Sequence, residues 1–174
     1  MRLGSLCTGY GGLDIAVQAH YGADLAWVAE VDPWASAVLR RLHPGVPNLG
    51  DVTRVSWHRV RSTAPVDVLC AGYPCQPFST AGQRRGSDDE RHLWPHVRRA
   101  IQVLAPRKVV VENVRGHLSL GFAEVLQDLA DLGFDARWGC VRASDAGAPH
   151  KRERIFLVAE DAHHGARGAG AAAR

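Results

Sequence analysis

A thiol held between prolines is the first feature of this chain that points to chemistry. Cys75 lies in Gly72-Tyr73-Pro74-Cys75-Gln76-Pro77-Phe78-Ser79, and prolines fix φ and stiffen the loop around it. The loop follows an apolar run, Val66 to Ala71, with the look of a buried strand. A thiol just past a strand end is poorly placed to fill a core, although burial as a small hydrophobe is the ordinary fate of a free cysteine. A helix N-terminus or an arginine nearby would lower its pKa, as a nucleophile requires. Glu112 is the second candidate. It ends the run from Lys108 to Glu112, three valines in succession, where an unpaired carboxylate is costly. Desolvation there would raise its pKa and let it hold a proton at neutral pH. The alternative for Glu112 is a structural hydrogen bond to a neighbouring loop.

A glycine turn, Gly9-Tyr10-Gly11-Gly12, follows the first apolar run. Such a turn lets backbone approach a ligand closely, and the helix behind it favours negative charge. Glu30 ends the next apolar run, about twenty residues on, where an acidic residue can bind ribose hydroxyls. Together they point to a nucleoside-containing cofactor, although glycine turns open many α/β proteins. The spacing is Gly-x-Gly-Gly with Leu13-Asp14 next, so the dinucleotide fingerprint is absent and a nicotinamide enzyme is disfavoured.

The elements that must position these residues alternate along the chain. Strands are expected over 3–7, 25–30, 66–71, 108–112, 134–141 and 155–159, and helices over 13–20, 33–42, 90–104 and 124–132. Repeated strand–helix–strand units predict an α/β fold with a doubly wound, mostly parallel sheet. Ligands bind such sheets at the carboxyl ends of the strands. That rim would gather Gly9 to Gly12, Glu30 with Asp32, Asp51, the Pro74-Cys75-Gln76 loop and Glu112-Asn113.

At 174 residues, 46% apolar and 22% charged, the chain has the makings of one globular domain. Residues 1–160 are expected to form it, with a disordered, alanine- and glycine-rich tail over 161–174. No apolar run reaches membrane-spanning length, and the N-terminus lacks a signal-peptide layout. A cytoplasmic protein without a membrane partner is the expectation. Cys7, Cys70, Cys75 and Cys140 show no paired metal-ligand spacing, so no metal is expected, and a reducing compartment disfavours disulfides. The net charge of +3 suits a nucleic-acid partner and many others.

Taken together, the motifs resemble those of the cytosine-5 DNA methyltransferase family. Ser5-Leu6-Cys7-Thr8-Gly9-Tyr10-Gly11-Gly12-Leu13 is similar to its first, S-adenosylmethionine-binding motif. Glu30-Val31-Asp32 resembles its ribose-binding acidic motif, and Gly50-Asp51-Val52 the motif whose Asp holds the adenine amine. The Cys75 loop resembles the catalytic loop, Glu112-Asn113-Val114 the Glu-Asn-Val motif, and Arg152-Glu153-Arg154 the paired-arginine motif. The resemblance implies a Rossmann-like S-adenosylmethionine-dependent methyltransferase fold and a role in DNA methylation, with restriction–modification as its setting. By resemblance, Cys75 would attack carbon 6 of a flipped-out cytosine. Glu112 would hydrogen-bond or protonate the ring nitrogen, and Arg154 and Arg152 would orient the base and the thiolate. Leu6, Cys7, Gly9, Tyr10, Gly11, Gly12, Glu30, Val31, Asp51, Val52 and Pro74 would contact S-adenosyl-L-methionine. Arg84, Arg85, Arg91, Arg98 and Arg99 either meet DNA phosphates or form a solvated helix face. His92, His96 and His117 are expected at the surface or at caps.

Two substitutions and a larger difference separate the chain from the family pattern. Ser5-Leu6-Cys7-Thr8-Gly9 stands where the family usually has Asp-Leu-Phe-Ala-Gly, and His150 replaces a Gln. No target-recognition region or C-terminal cofactor motif is seen after Ala159. A split enzyme whose second polypeptide supplies them, a truncated remnant and a minimal enzyme all fit. Methylation of tRNA and a non-catalytic subunit are the other readings.

Overall fold

In the computed structural model, residues 1–74 and 93–163 are described. Arg2–Leu6 (β1) leads through the glycine turn into Gly12–Tyr21 (α1), then Asp24–Ala29 (β2) and Pro33–Leu42 (α2). Trp57–Thr63 (α3), Val68–Ala71 (β3), Trp94–Leu104 (α4), Lys108–Val114 (β4), Phe122–Asp131 (α5), Phe134–Arg142 (β5) and Glu153–Asp161 (β6) follow. The strands make one sheet in the order β2-β1-β3-β4-β6-β5. The first four are parallel, whereas β6 runs antiparallel to both β4 and β5. Helices cover both faces, as a doubly wound sheet requires.

The central strands are apolar throughout because both their faces are covered. Leu6, Leu69, Val109 and Val111 pack under α3, α4 and α5, while Leu3, Val68, Cys70 and Val110 meet α1 through Val17. Gly4 pairs across the sheet with Trp27, whose indole lies where a Gly4 side chain would begin. The local chain explains the helix starts. Gly11, at φ 83°, turns the chain into α1 in the left-handed region that favours glycine. Asp32 Oδ1 accepts from Ala35 N at 2.7 Å and Pro33 opens α2, a cap and first-turn pair that starts a helix sharply. Asp32, expected at the ligand rim, is therefore a cap. No described helix is long and apolar enough to cross a membrane.

Two features differ from the expectation. α3 was not foreseen, and the last strand reverses direction. β6 runs to Asp161; residues 164–174, most of the expected tail, lie outside the described ones.

Candidate active site

The reversal of β6 builds the site. Parallel β1 to β4 place their carboxyl ends along one rim, and an antiparallel strand brings its amino end to that same rim. Arg154 pairs in register with Val114 at the end of β4, and Phe156 with Glu112. Arg154 and Glu112 are thus diagonal neighbours on one sheet face, and Arg154 Nε lies 2.9 Å from Glu112 Oε1. Arg154 Nη1 also donates to the Glu153 carbonyl at 3.0 Å. Arg152, just before the strand, adopts φ 27°, a left-handed value uncommon for a residue with a side chain.

Next to this pair the rim opens into a cleft of two lobes that share Cys7, Gly9 and Gly72. The first lobe, about 290 Å³, is walled by Glu30, Val31, Asp51, Val52 and Pro74. Glu30 is fixed from both sides: its Oε2 accepts from Gly9 N at 2.7 Å and its Oε1 from Asp32 N at 2.8 Å. Asn48, not singled out from the sequence, organises the same wall. Its Oδ1 accepts from Glu30 N and Gly50 N, and its Nδ2 donates to the Glu30 carbonyl, each at 3.0 Å. An Asn next to a strand that reads as loop carries no signal of this role. Asp51 Oδ1 accepts from the hydroxyl of Thr53 at 2.8 Å and its N–H at 2.9 Å, which hold this carboxyl below the usual carboxylate range. Cys7 borders both lobes, and burial, with Glu30 and Asp51 beside it, pushes its thiol up to about 12. It is in no state to act as a nucleophile.

The second lobe, about 570 Å³, is lined by Tyr10, Gly12, Asp14, Glu112 and Arg152 among others. Gly72 lies close to Glu112: a side chain on it would start 3.8 Å from Glu112 Oε2 and 3.6 Å from the Cys7 carbonyl. Glu112 differs from expectation in its surroundings. Its side chain keeps 26% exposure and has an arginine partner, so it is neither fully desolvated nor unpaired. Below the glycine turn, Asp14 is buried, and its Oδ1 accepts from Ser5 Oγ at 2.7 Å and Cys70 Sγ at 2.8 Å. Burial raises the Asp14 carboxyl above its ordinary value, against the pull of those two hydrogen bonds.

Most of the expected site residues that are described reach the cleft. Leu6 does not: its side chain is in the core, and only its carbonyl serves the site, accepting from Gly72 N at 3.2 Å. Gly11 acts as the turn before α1 and borders neither lobe. Cys75, with Arg84, Arg85, Arg91 and His92, lies outside the described residues. Arg98 is committed to Asp128, with Nε 2.7 Å from Oδ1, so its charge is not held out for phosphate. Arg99 faces His58 and Gln102. His96 is exposed, but His117 is fully buried, correcting the surface assignment. Its Nε2 lies 2.7 Å from Tyr73 Oη and its Nδ1 2.9 Å from the Leu120 carbonyl.

The chain is similar to known proteins in sequence and in fold. The family described as C-5 cytosine-specific DNA methylase matches residues 1–167. The chain is 38% identical over 160 residues to type II methyltransferase M.NaeI of Lentzea aerocolonigenes, an alignment covering 88% of this chain and 38% of that protein. It is 31% identical over 176 residues to type II methyltransferase M.AquIA of Picosynechococcus, covering 90% of this chain and 71% of that one. The structure of Schizosaccharomyces pombe Dnmt2 methyltransferase superposes with a TM-score of 0.77 at 20% identity, over 93% of this chain and 51% of its own. The sheet with its antiparallel β6 is thus a Rossmann-like methyltransferase fold, and the chain spans well under half the length of M.NaeI. By the family match over nearly its whole length, this chain belongs to the C-5 cytosine-specific DNA methylases.

Proposed function

We propose that this chain carries the cofactor-binding and catalytic part of an enzyme that methylates carbon 5 of cytosine in DNA. The observation that carries the reading is the convergence, at one cleft, of Glu112 with its ion-pair partner Arg154 behind it, Gly72 and Pro74 before Cys75, and the Glu30–Asp51 wall. The cleft fits S-adenosylmethionine. A fixed carboxylate, Glu30, faces the lobe where ribose hydroxyls need an acceptor. Val31, Val52 and Pro74 offer apolar surface to a base. The second lobe leads from there to Glu112. Bound in this cleft, the cofactor supplies an electrophilic methyl group.

The chain's own residues then have distinct tasks. Cys75 adds its sulfur to carbon 6 of the cytosine, forming the S–C6 bond while Glu112 presents its carboxyl to ring nitrogen 3. Electron density gathers on carbon 5, which becomes the nucleophile toward the methyl group; the new C–C bond would form as the S–CH3 bond breaks, with S-adenosylhomocysteine as the leaving group. Loss of the carbon-5 proton to a base restores the ring double bond as the S–C6 bond breaks and the thiolate leaves. Arg154 holds the Glu112 carboxyl in place through their ion pair. Arg152, bordering the same lobe, faces the base. The cytosine leaves the duplex for this, because its ring faces are stacked inside the helix. Target recognition is assigned to polypeptide corresponding to the part of M.NaeI that this chain does not span, on a second chain or on the same one.

The test is transfer of labelled methyl from S-adenosylmethionine to mixed-sequence duplex DNA, and in parallel to tRNA, with Cys75→Ser as control. Label recovered as 5-methylcytosine in DNA and lost in the control supports the reading. Transfer that persists in Cys75→Ser, or that goes to tRNA alone, rejects it.

A further inference from the structure

We propose that Tyr73 and His117 form a positioning pair that locks the entry of the Cys75 loop onto the end of the Glu112 strand and thereby sets the rate of methyl transfer. The inference rests on the catalytic reading above. Both side chains are buried, at 3% and 1% exposure, although each has a polar end that must be satisfied there. The Leu120 carbonyl can only accept, so His117 Nδ1 carries a proton. In the neutral ring Nε2 is then the acceptor for the Tyr73 hydroxyl at 2.7 Å. Their rings meet edge to face, centroids 5.7 Å apart at 89°. Trp94 borders Tyr73 on the other side and Phe122 borders His117, so the pair is flanked by rings at both ends.

What the pair joins is the reason to assign it this role. Tyr73 precedes Cys75 by two residues, and His117 lies in the short 3-10 turn, Arg115–Ser119, that follows the Glu112 strand directly. Asn113, next to Glu112, adds a second tie through Nδ2 to the Tyr73 carbonyl at 3.4 Å. Gly72 is tied in turn to β1 through the Leu6 carbonyl. The backbone entering the nucleophile loop is thus pinned against the strand that carries the carboxyl, by its main chain and by its side chain. An apolar pair would fill the same space, but it would leave the tyrosine ring without a fixed registry. A hydrogen bond between two buried groups specifies one arrangement where packing alone tolerates several. Neither residue borders the cleft, so the pair acts through the loop.

Tyr73→Phe removes only the hydroxyl, whereas His117→Leu removes the acceptor together with the Nδ1 donor to Leu120 and the ring contacts. Each is expected to lower kcat for methyl transfer about tenfold, the rate equivalent of one hydrogen bond, while the KM for cofactor stays within about twofold because the Glu30 lobe is untouched. The double variant falls no further than the weaker single one, and His117→Gln, which restores an acceptor, recovers most of the rate. Alkylation of Cys75 by iodoacetamide, followed by mass spectrometry of its peptide in the full chain, changes rate in the same variants. A kcat within about twofold of the parent in Tyr73→Phe, with only the melting temperature lowered, overturns the proposal. A parent that transfers no methyl to DNA by itself points to the recognition polypeptide that the chain does not span, and says nothing against the pair. The alkylation arm still decides, since a Cys75 rate unchanged in Tyr73→Phe rejects the pair.

Discussion

Replacing Arg154 by Ala separates a catalytic ion pair from a structural one, because the molecule contains a matched control. Arg154 Nε and Glu112 Oε1 are 2.9 Å apart, with side-chain exposures of 23% and 26%. Arg98 Nε and Asp128 Oδ1, between α4 and α5, are 2.7 Å apart at 33% and 20%. At an effective dielectric of about 20 either contact has a gross Coulomb attraction of roughly 6 kcal/mol. Lost hydration cancels most of it, and water still reaches both pairs, leaving about 1–2 kcal/mol net. Each alanine variant should therefore lose that much stability in urea denaturation. Only Arg154→Ala should also slow methyl transfer, by about 5–30-fold if the same energy holds the Glu112 carboxyl toward the base. Arg154→Lys keeps the charge but not the planar donor, and should fall between. Equal rate losses in Arg154→Ala and Arg98→Ala, or a rate within about twofold of the parent in Arg154→Ala, would refute the assignment.

Further expectations concern the cofactor wall and the sheet beneath it. Glu30→Ala should weaken binding of S-adenosylhomocysteine by about 10–100-fold, the loss of charge-assisted hydrogen bonds; Asn48→Ala should shift it the same way by less, and unchanged calorimetric affinity in both would remove Glu30 from the site. Gly4→Ala drives a methyl to within 2.3 Å of the buried Trp27 ring, and should cost about 1–3 kcal/mol, read as a drop of several degrees in Tm. Asp14 makes stability depend on pH in a definite sense. Its folded pKa is raised by burial, so its contribution is full below the unfolded value, about 3.9, and is lost as pH rises through the folded one. Asp51 and Glu160 are shifted the opposite way, so the comparison of parent with Asp14→Asn isolates the effect: urea midpoints of the variant should fall less as pH rises, and parallel curves would exclude Asp14 as the source.

The strands and the site residues next to them were legible because buried parallel strands are uniformly apolar and each ends in a chemically distinctive residue. The run at Lys108 was read as a strand, and the helix starting at Pro33 announced its own cap and first turn. Strand direction was not legible. Ile155, Leu157 and Ala159 alternate toward the core whichever way β6 runs, so nothing in that stretch says that Arg154 meets Glu112. α3 escaped because Trp57 and Val60 are its only buried positions, too few to show a helical period. His117 reads as a surface or cap residue because its partner, Tyr73, is 44 positions away. Its burial is a property of the fold, with no trace in the residues around it.

The first motif shows why a departure from a family pattern need not be a loss. With Ser5 where the family pattern has Asp, the strand entering the glycine turn carries no carboxylate. In the folded chain a carboxylate still lies there, because Asp14 on α1 reaches back to Ser5 Oγ at 2.7 Å. Thr8 Oγ1 donates to the same Ser5 oxygen at 2.9 Å, so strand, turn and helix share one hydrogen-bonded cluster. The Cys70 thiol, pushed well up by burial and then by Asp14, stays a donor to that carboxyl. Asp14 Oδ2 is buried without a hydrogen-bond partner among the described residues, an arrangement that favours the protonated form. The turn that leads to the cofactor lobe is thus braced by a buried carboxyl on α1, and burial raises the pKa of that carboxyl above its ordinary value.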